Sequence, residues 1–177
     1  MMDALKVGDR DIVLTISYED MIKYHGRFNI GGVAIAFKVL ELAFAKLSPG
    51  EVPAREKINF VSGMGMAGMG LIDGVEMATR AWTRGRMIAD DRLNTRLPAL
   101  DLPDGGKYYY EMEYEGKRIA MALKGGLIPE EFMVLTRKAK AGTINPEEAQ
   151  RLQVIKEDIA AALMSREPEE LFNWVII

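Results

Sequence analysis

Residues 33–47 carry apolar side chains at nearly every helical angle, with Lys38, Glu41 and Lys46 as the exceptions. A helix without a polar face has to be enclosed, either inside its own domain or against a second copy of the chain. Its ends are marked: the pair Gly31-Gly32 stands before it, and Ser48-Pro49-Gly50 breaks it. The remaining elements must therefore form layers around this segment. With 177 residues, of which 49% are hydrophobic, the chain has enough apolar material for one domain with a core of its own.

The patterns on either side point to an α+β fold. Residues 11–16, Asp-Ile-Val-Leu-Thr-Ile, read as a strand after the turn signal Gly8-Asp9. Ser17, three residues before Asp20, opens a short helix that delivers His25 at its end, where Gly26 frees the chain to turn. Residues 57–62 read as a strand, 71–82 as a helix and 87–89 as a short strand, followed by a long polar loop over 90–106. Tyr108–Tyr114 and Lys117–Leu123 alternate as a hairpin turning at Glu115-Gly116. Pro129 begins a helix to about Lys140, and Asn145-Pro146-Glu147-Glu148 caps another to about Met164. One more turn begins at Pro168, and the apolar tail from Trp174 to Ile177 requires cover from a sheet edge or a partner. The expected architecture is a mixed sheet of four to six strands packed by the Val33 and Leu71 helices, in one domain that forms a homodimer.

Composition narrows the chemistry. A net charge of -3 and interspersed basic residues give no footprint for nucleic acid. The absence of cysteine excludes disulfides, thiolate metal sites and cysteine nucleophiles. The N-terminal residues Met1 to Lys6 lack the apolar stretch of a secretion signal, and no run reaches membrane-spanning length, so a cytoplasmic protein without membrane contact is expected.

Three stretches can carry chemistry. The first is Tyr24-His25-Gly26-Arg27-Phe28-Asn29, which holds the only histidine. Its imidazole suits an acid, base or metal ligand, or a structural hydrogen bond, while Arg27 and Asn29 can present donors to an anion. The second is Gly63-Met64-Gly65-Met66-Ala67-Gly68-Met69-Gly70, where backbone can approach a ligand closely. Gly63, Gly65 and Gly68 have dinucleotide-fingerprint spacing, with Asp90 and Asp91 about 20 residues on. Asp73 near the start of the following helix opposes a pyrophosphate there. The third stretch puts Asp73, Glu76 and Arg80 on one helical face, either as a solvated ion-pair face or lining a cleft with His25. One histidine and scattered carboxylates leave a transition metal short of ligands.

Ser17 to Gly26, followed by the glycine-led helix, resembles the opening of the formylmethanofuran dehydrogenase E-subunit family, which typically reads Phe-His-Gly-His-x-Cys-Pro-Gly. Asp73-Gly74-Val75-Glu76 with Thr79 resembles that family's Asp-Ala-Ile-Gln and threonine motif, and Pro168 to Phe172 resembles its ending. The resemblance implies a dimerising α+β core with a cleft between the first loop and the glycine-rich loop. It also brings a divalent metal such as zinc into question. Here, however, the family's second histidine falls on Arg27, its cysteines on Asn29 and Gly70, and its proline on Ile30, so that only His25 and Asp73 remain. The cysteines of the C-terminal zinc finger found in some members are missing too. The expected function is binding of a small, anionic ligand through Tyr24, His25, Arg27, Asn29, the glycines Gly63, Gly65, Gly68 and Gly70, and Arg80. The alternatives are an enzyme in which Asp73 orients His25 as general acid or base, and a nucleotide-binding protein using the glycine loop.

Overall fold

The computed structural model describes residues 4–103 and 105–177. Met1–Asp3, part of the stretch read as lacking a secretion signal, and Asp104 of the 90–106 loop lie outside the described residues. Among the described residues, two sheets and six α-helices form one mixed α+β domain.

The chain opens with a two-stranded antiparallel hairpin, β1 (Ala4–Asp9) and β2 (Ile12–Ser17), turning at Arg10, whose φ is 58°. The sequence pattern does not reveal β1, and it puts the turn two residues early. Gly8 lies inside the strand because its N–H donates to the Pro53 carbonyl at 2.9 Å, where the two backbones run side by side. Helix α1 (Tyr18–His25) follows with the expected capping box: Ser17 accepts from Asp20 N–H, and the Asp20 carboxylate accepts from Ser17 N–H.

Helix α2 (Ile30–Leu47) is the enclosed helix that the sequence demands. It lies against α3 (Met69–Thr79), α5 (Pro146–Met164) and the inner face of the main sheet. Lys38, two turns into it, is fully buried and tolerable there because Glu41 accepts its Nζ at 2.9 Å. The glycine pair lies inside the helix rather than before it, since a Cβ on Gly32 would sit 3.1 Å from Leu71 N and 3.2 Å from Gly70 Cα. Glycine here permits backbone-to-backbone packing of α2 on the start of α3.

The main sheet has the order β4-β3-β5-β6-β7, built from β3 (Ile58–Ser62), β4 (Met87–Ala89), β5 (Tyr109–Tyr114), β6 (Lys117–Leu123) and β7 (Phe172–Ile176). β3 and β4 are parallel across α3, and the other pairs are antiparallel. The β5–β6 hairpin turns as expected at Glu115 and Gly116, with φ values of 51° and 79°. Period-two alternation sends Phe60, Tyr110, Met112, Ile119 and Met121 into the core around α2. Tyr109, Ala120 and Ala122 go to the opposite face, where Leu93, Leu97 and Ala99 of the 90–106 loop cover them. The apolar tail pairs with β6 as the edge strand, yet Trp174, Val175 and Ile176 keep more than a third of their surface exposed.

Helix α4 (Glu130–Lys140) and α5 form an antiparallel pair beside α2, and α6 (Pro168–Leu171) leads into β7. Asn145 and Glu148 make the reciprocal capping box that starts α5. No helix among the described residues is long and apolar enough to cross a membrane.

The α2–α3 contact gives a direct test. A Cβ on Gly70 would fall 2.5 Å from the Asn29 carbonyl oxygen, whereas one on Gly125 meets nothing within 4 Å. Gly70→Ala is expected to lose about 1–3 kcal/mol in urea unfolding, and Gly125→Ala to stay within about 0.5 kcal/mol of the parent. Equal stability of the two variants would mean that the backbones are not packed this closely.

Candidate functional site

The loop from Gly26 to Asn29 is held by its neighbours on α5. Gln153 Nε2 donates to the Arg27 carbonyl at 3.1 Å, and Glu157 pairs with the Arg27 guanidinium at 3.5 Å. Lys156 Nζ donates to Asn29 Oδ1 at 3.3 Å and stands 3.8 Å from the centre of the Phe28 ring. The glycine-rich loop is fixed from the sheet side. Ser62 Oγ accepts from Met64 N–H at 3.2 Å, and the Tyr110 hydroxyl donates to Met64 Sδ at 3.3 Å. Burial pushes the Tyr110 phenol well above its ordinary pKa, so it remains a neutral donor. Gly65–Gly68 then form a single 3-10 turn leading into α3.

Between these two loops, closed at the far side by α4 and α5, lies a cavity of about 360 Å³. Asn29, Gly31 and Gly32 form one wall, Met64, Gly68 and Gly70 another, and Phe132, Thr136, Leu152 and Lys156 line the helical side. Its surface is mostly apolar, and its polar lining includes Lys156 and Thr136. Lys156 is 8% exposed, and burial pulls its ammonium below the ordinary lysine pKa. Thr136 Oγ1 is buried and, among the described residues, has no hydrogen-bond partner.

The structure brings some of the expected site residues together and separates others. Asn29, Gly68 and Gly70 line the cavity. His25 and Asp73 meet each other, in the pairing that the acid–base alternative expects: Nδ1 and Oδ2 are 2.7 Å apart, joining the end of α1 to α3. With the proton on Nδ1 the imidazole donates to Asp73, and Nε2 is left buried without a partner among the described residues. Arg80 closes α3 in the left-handed region and pairs with Glu76 at 3.1 Å. The Glu76 carboxylate also accepts from Trp82 N–H and Thr83 N–H, so this face stabilises the chain reversal after α3. Tyr24 is 56% exposed, and neither it nor Arg27 borders the cavity. The glycines with fingerprint spacing are occupied by packing. A Cβ on Gly63 would crowd Tyr109 at 3.3 Å, one on Gly65 Asp91 at 2.9 Å, and one on Gly68 Met64 at 2.9 Å.

Lys156 and Thr136 were not singled out from the sequence, although a signal was present. Leu152, Ile155, Ile159, Ala160 and Leu163 form the buried stripe of α5, and Lys156 falls inside it. A lysine in such a stripe either extends its ammonium to the rim or meets a partner or a cavity.

Fold and site define an α+β protein with an interior, largely apolar cleft of small-molecule size. A family model described as "FmdE, Molybdenum formylmethanofuran dehydrogenase operon" matches residues 25–173, and the chain belongs to this FmdE family. The match begins at His25, which leaves the β1–β2 hairpin and most of α1 outside it. No curated protein matches the chain.

The metal that the family resemblance brings into question does not fit these residues. With Nδ1 on Asp73, His25 offers an ion Nε2 alone, and no group of three or more His, Cys, Asp or Glu able to hold an ion occurs among the described residues. At Gly70, where the resemblance places a cysteine, the approach of the Asn29 carbonyl leaves no room for a Cβ. Plasma mass spectrometry on untagged protein is therefore expected to find metal below about a tenth of an equivalent. Stoichiometric metal that is lost in His25→Ala would contradict this reading of the donor set.

Proposed function

We propose that this FmdE-family chain is a small-molecule-binding protein whose ligand occupies the cleft between the His25 loop and the Gly/Met loop. The observation that carries this reading is the cavity itself. At about 360 Å³ it lies in the lower part of the roughly 300–1,000 Å³ range of small-molecule sites. Its mostly apolar walls with few polar groups have the composition such sites use. Gly31, Gly32, Gly68 and Gly70 line part of its wall. The elements that close it come from positions far apart in the chain, so a ligand bridging them stabilises the fold as a whole.

A thermal-shift screen of small aliphatic and aromatic acids, alcohols and amides tests the proposal. Ligands of the cavity are expected to raise the unfolding midpoint by about 2 °C or more when present well above their Kd. Ala67 is an exposed residue on the cavity wall, so Ala67→Trp is expected to abolish these shifts without lowering the midpoint of the free protein. Hits that all survive in Ala67→Trp, or a screen without hits, would contradict the cleft as the binding site.

A further inference from the structure

We propose that the ligand is an organic monoanion, with an apolar body in the cavity and a carboxylate-sized head received by Lys156 Nζ. This rests on the cleft being the binding site. It differs from the sequence expectation in the group that receives the charge, because both arginines expected to do so are already paired, Arg27 with Glu157 and Arg80 with Glu76.

Lysine is almost never enclosed without a counter-charge, since the ammonium loses its hydration and gains nothing equivalent from apolar neighbours. The chain itself supplies the comparison. Lys38 is buried and has the Glu41 carboxylate at 2.9 Å. Lys156 is buried to a similar degree, but its contacts are an amide oxygen at 3.3 Å and an aromatic face at 3.8 Å. Both contacts favour a cation, and neither carries the charge that would neutralise it. Among the described residues no carboxylate forms an ion pair with Lys156, and burial lowers its pKa.

Thr136 makes the second, independent observation. A threonine hydroxyl inside a helix ordinarily returns to a carbonyl one turn back. Thr136 Oγ1 makes no such bond, although it is buried on the wall of the same cavity. The Lys156 ammonium, which has no counter-charge, and the Thr136 hydroxyl, which has no partner among the described residues, both line this cavity and give a carboxylate two donors. Phe28 provides the way in. It is 72% exposed, covers Lys156 from outside, and borders both the cavity and a shallower groove beside Arg27 and Gln153.

The probes are octanoate and 4-phenylbutyrate, each titrated beside its own primary amide, which keeps shape and removes charge. In isothermal titration at least one acid is expected to bind about tenfold or more tightly than its amide, as a hydrogen bond to a charged group implies. Lys156→Met is expected to erase this preference while leaving the amide affinity unchanged. Lys156→Gln provides the same test should the first variant fold poorly. Amides that bind as tightly as the acids, or a preference that persists in both variants, would overturn the assignment to Lys156 while leaving the cleft intact as a binding site. Absence of binding by both acids up to about 10 mM would overturn the monoanion itself. The broader screen with Ala67→Trp decides the cleft separately.

Discussion

The close packing of α2 on the start of α3 is the constraint on which the rest of the structure depends. A helix with apolar residues on every side gains stability only when it is enclosed, and α2 reaches that state because Gly32 and Gly70 let two backbones touch. Gly74 extends the contact one turn further, where a Cβ would fall 2.5 Å from that of Ala36. With α3 fixed against α2, Asp73 comes within reach of His25 at the end of α1, and the three helices become one unit. The sheet, the β1–β2 hairpin and α5 then cover the remaining faces of α2.

The same contact decides the chemistry of the site. The positions where family resemblance places thiols and a second imidazole are Arg27, Asn29 and Gly70. Two of these lie where the α2 and α3 backbones meet. Packing stands there in place of ligation, and His25 has turned to a single carboxylate. Beyond the contact, α5 packs on α2, and the cavity opens beside these packed helices, lined by residues of the two loops, α4 and α5.

Much of the fold was legible because it rests on local signals. The Asn145 capping box, the Glu115-Gly116 turn and the alternation of β5 and β6 are each specified within a few residues, and each appears as read. Glycine was misread where its role is tertiary. Gly31-Gly32 looks like a helix boundary and Gly8-Asp9 like a turn, yet Gly32 is needed for helix contact and Gly8 lies in a strand with its N–H bonded to Pro53. The site was legible in its loops but not in its far wall. Nothing near residue 29 announces that α5, more than a hundred residues later, supplies the buried ammonium. That lysine was detectable only as a charged residue out of place in an apolar stripe. The Arg80–Glu76 pair follows from helical spacing, whereas the pairing of Arg27 with Glu157 is a property of the folded chain.

The most direct test of the cavity as the binding site is a 15N heteronuclear correlation titration with 4-phenylbutyrate on the unmodified chain. The amide shifts are expected to concentrate at Gly31, Gly32, Met64, Gly68, Thr136 and Lys156, and to leave Arg80 and Thr83 unmoved. Shifts centred on Arg80 or on the exposed face of α1 around Tyr24, with the cavity residues silent, would contradict it.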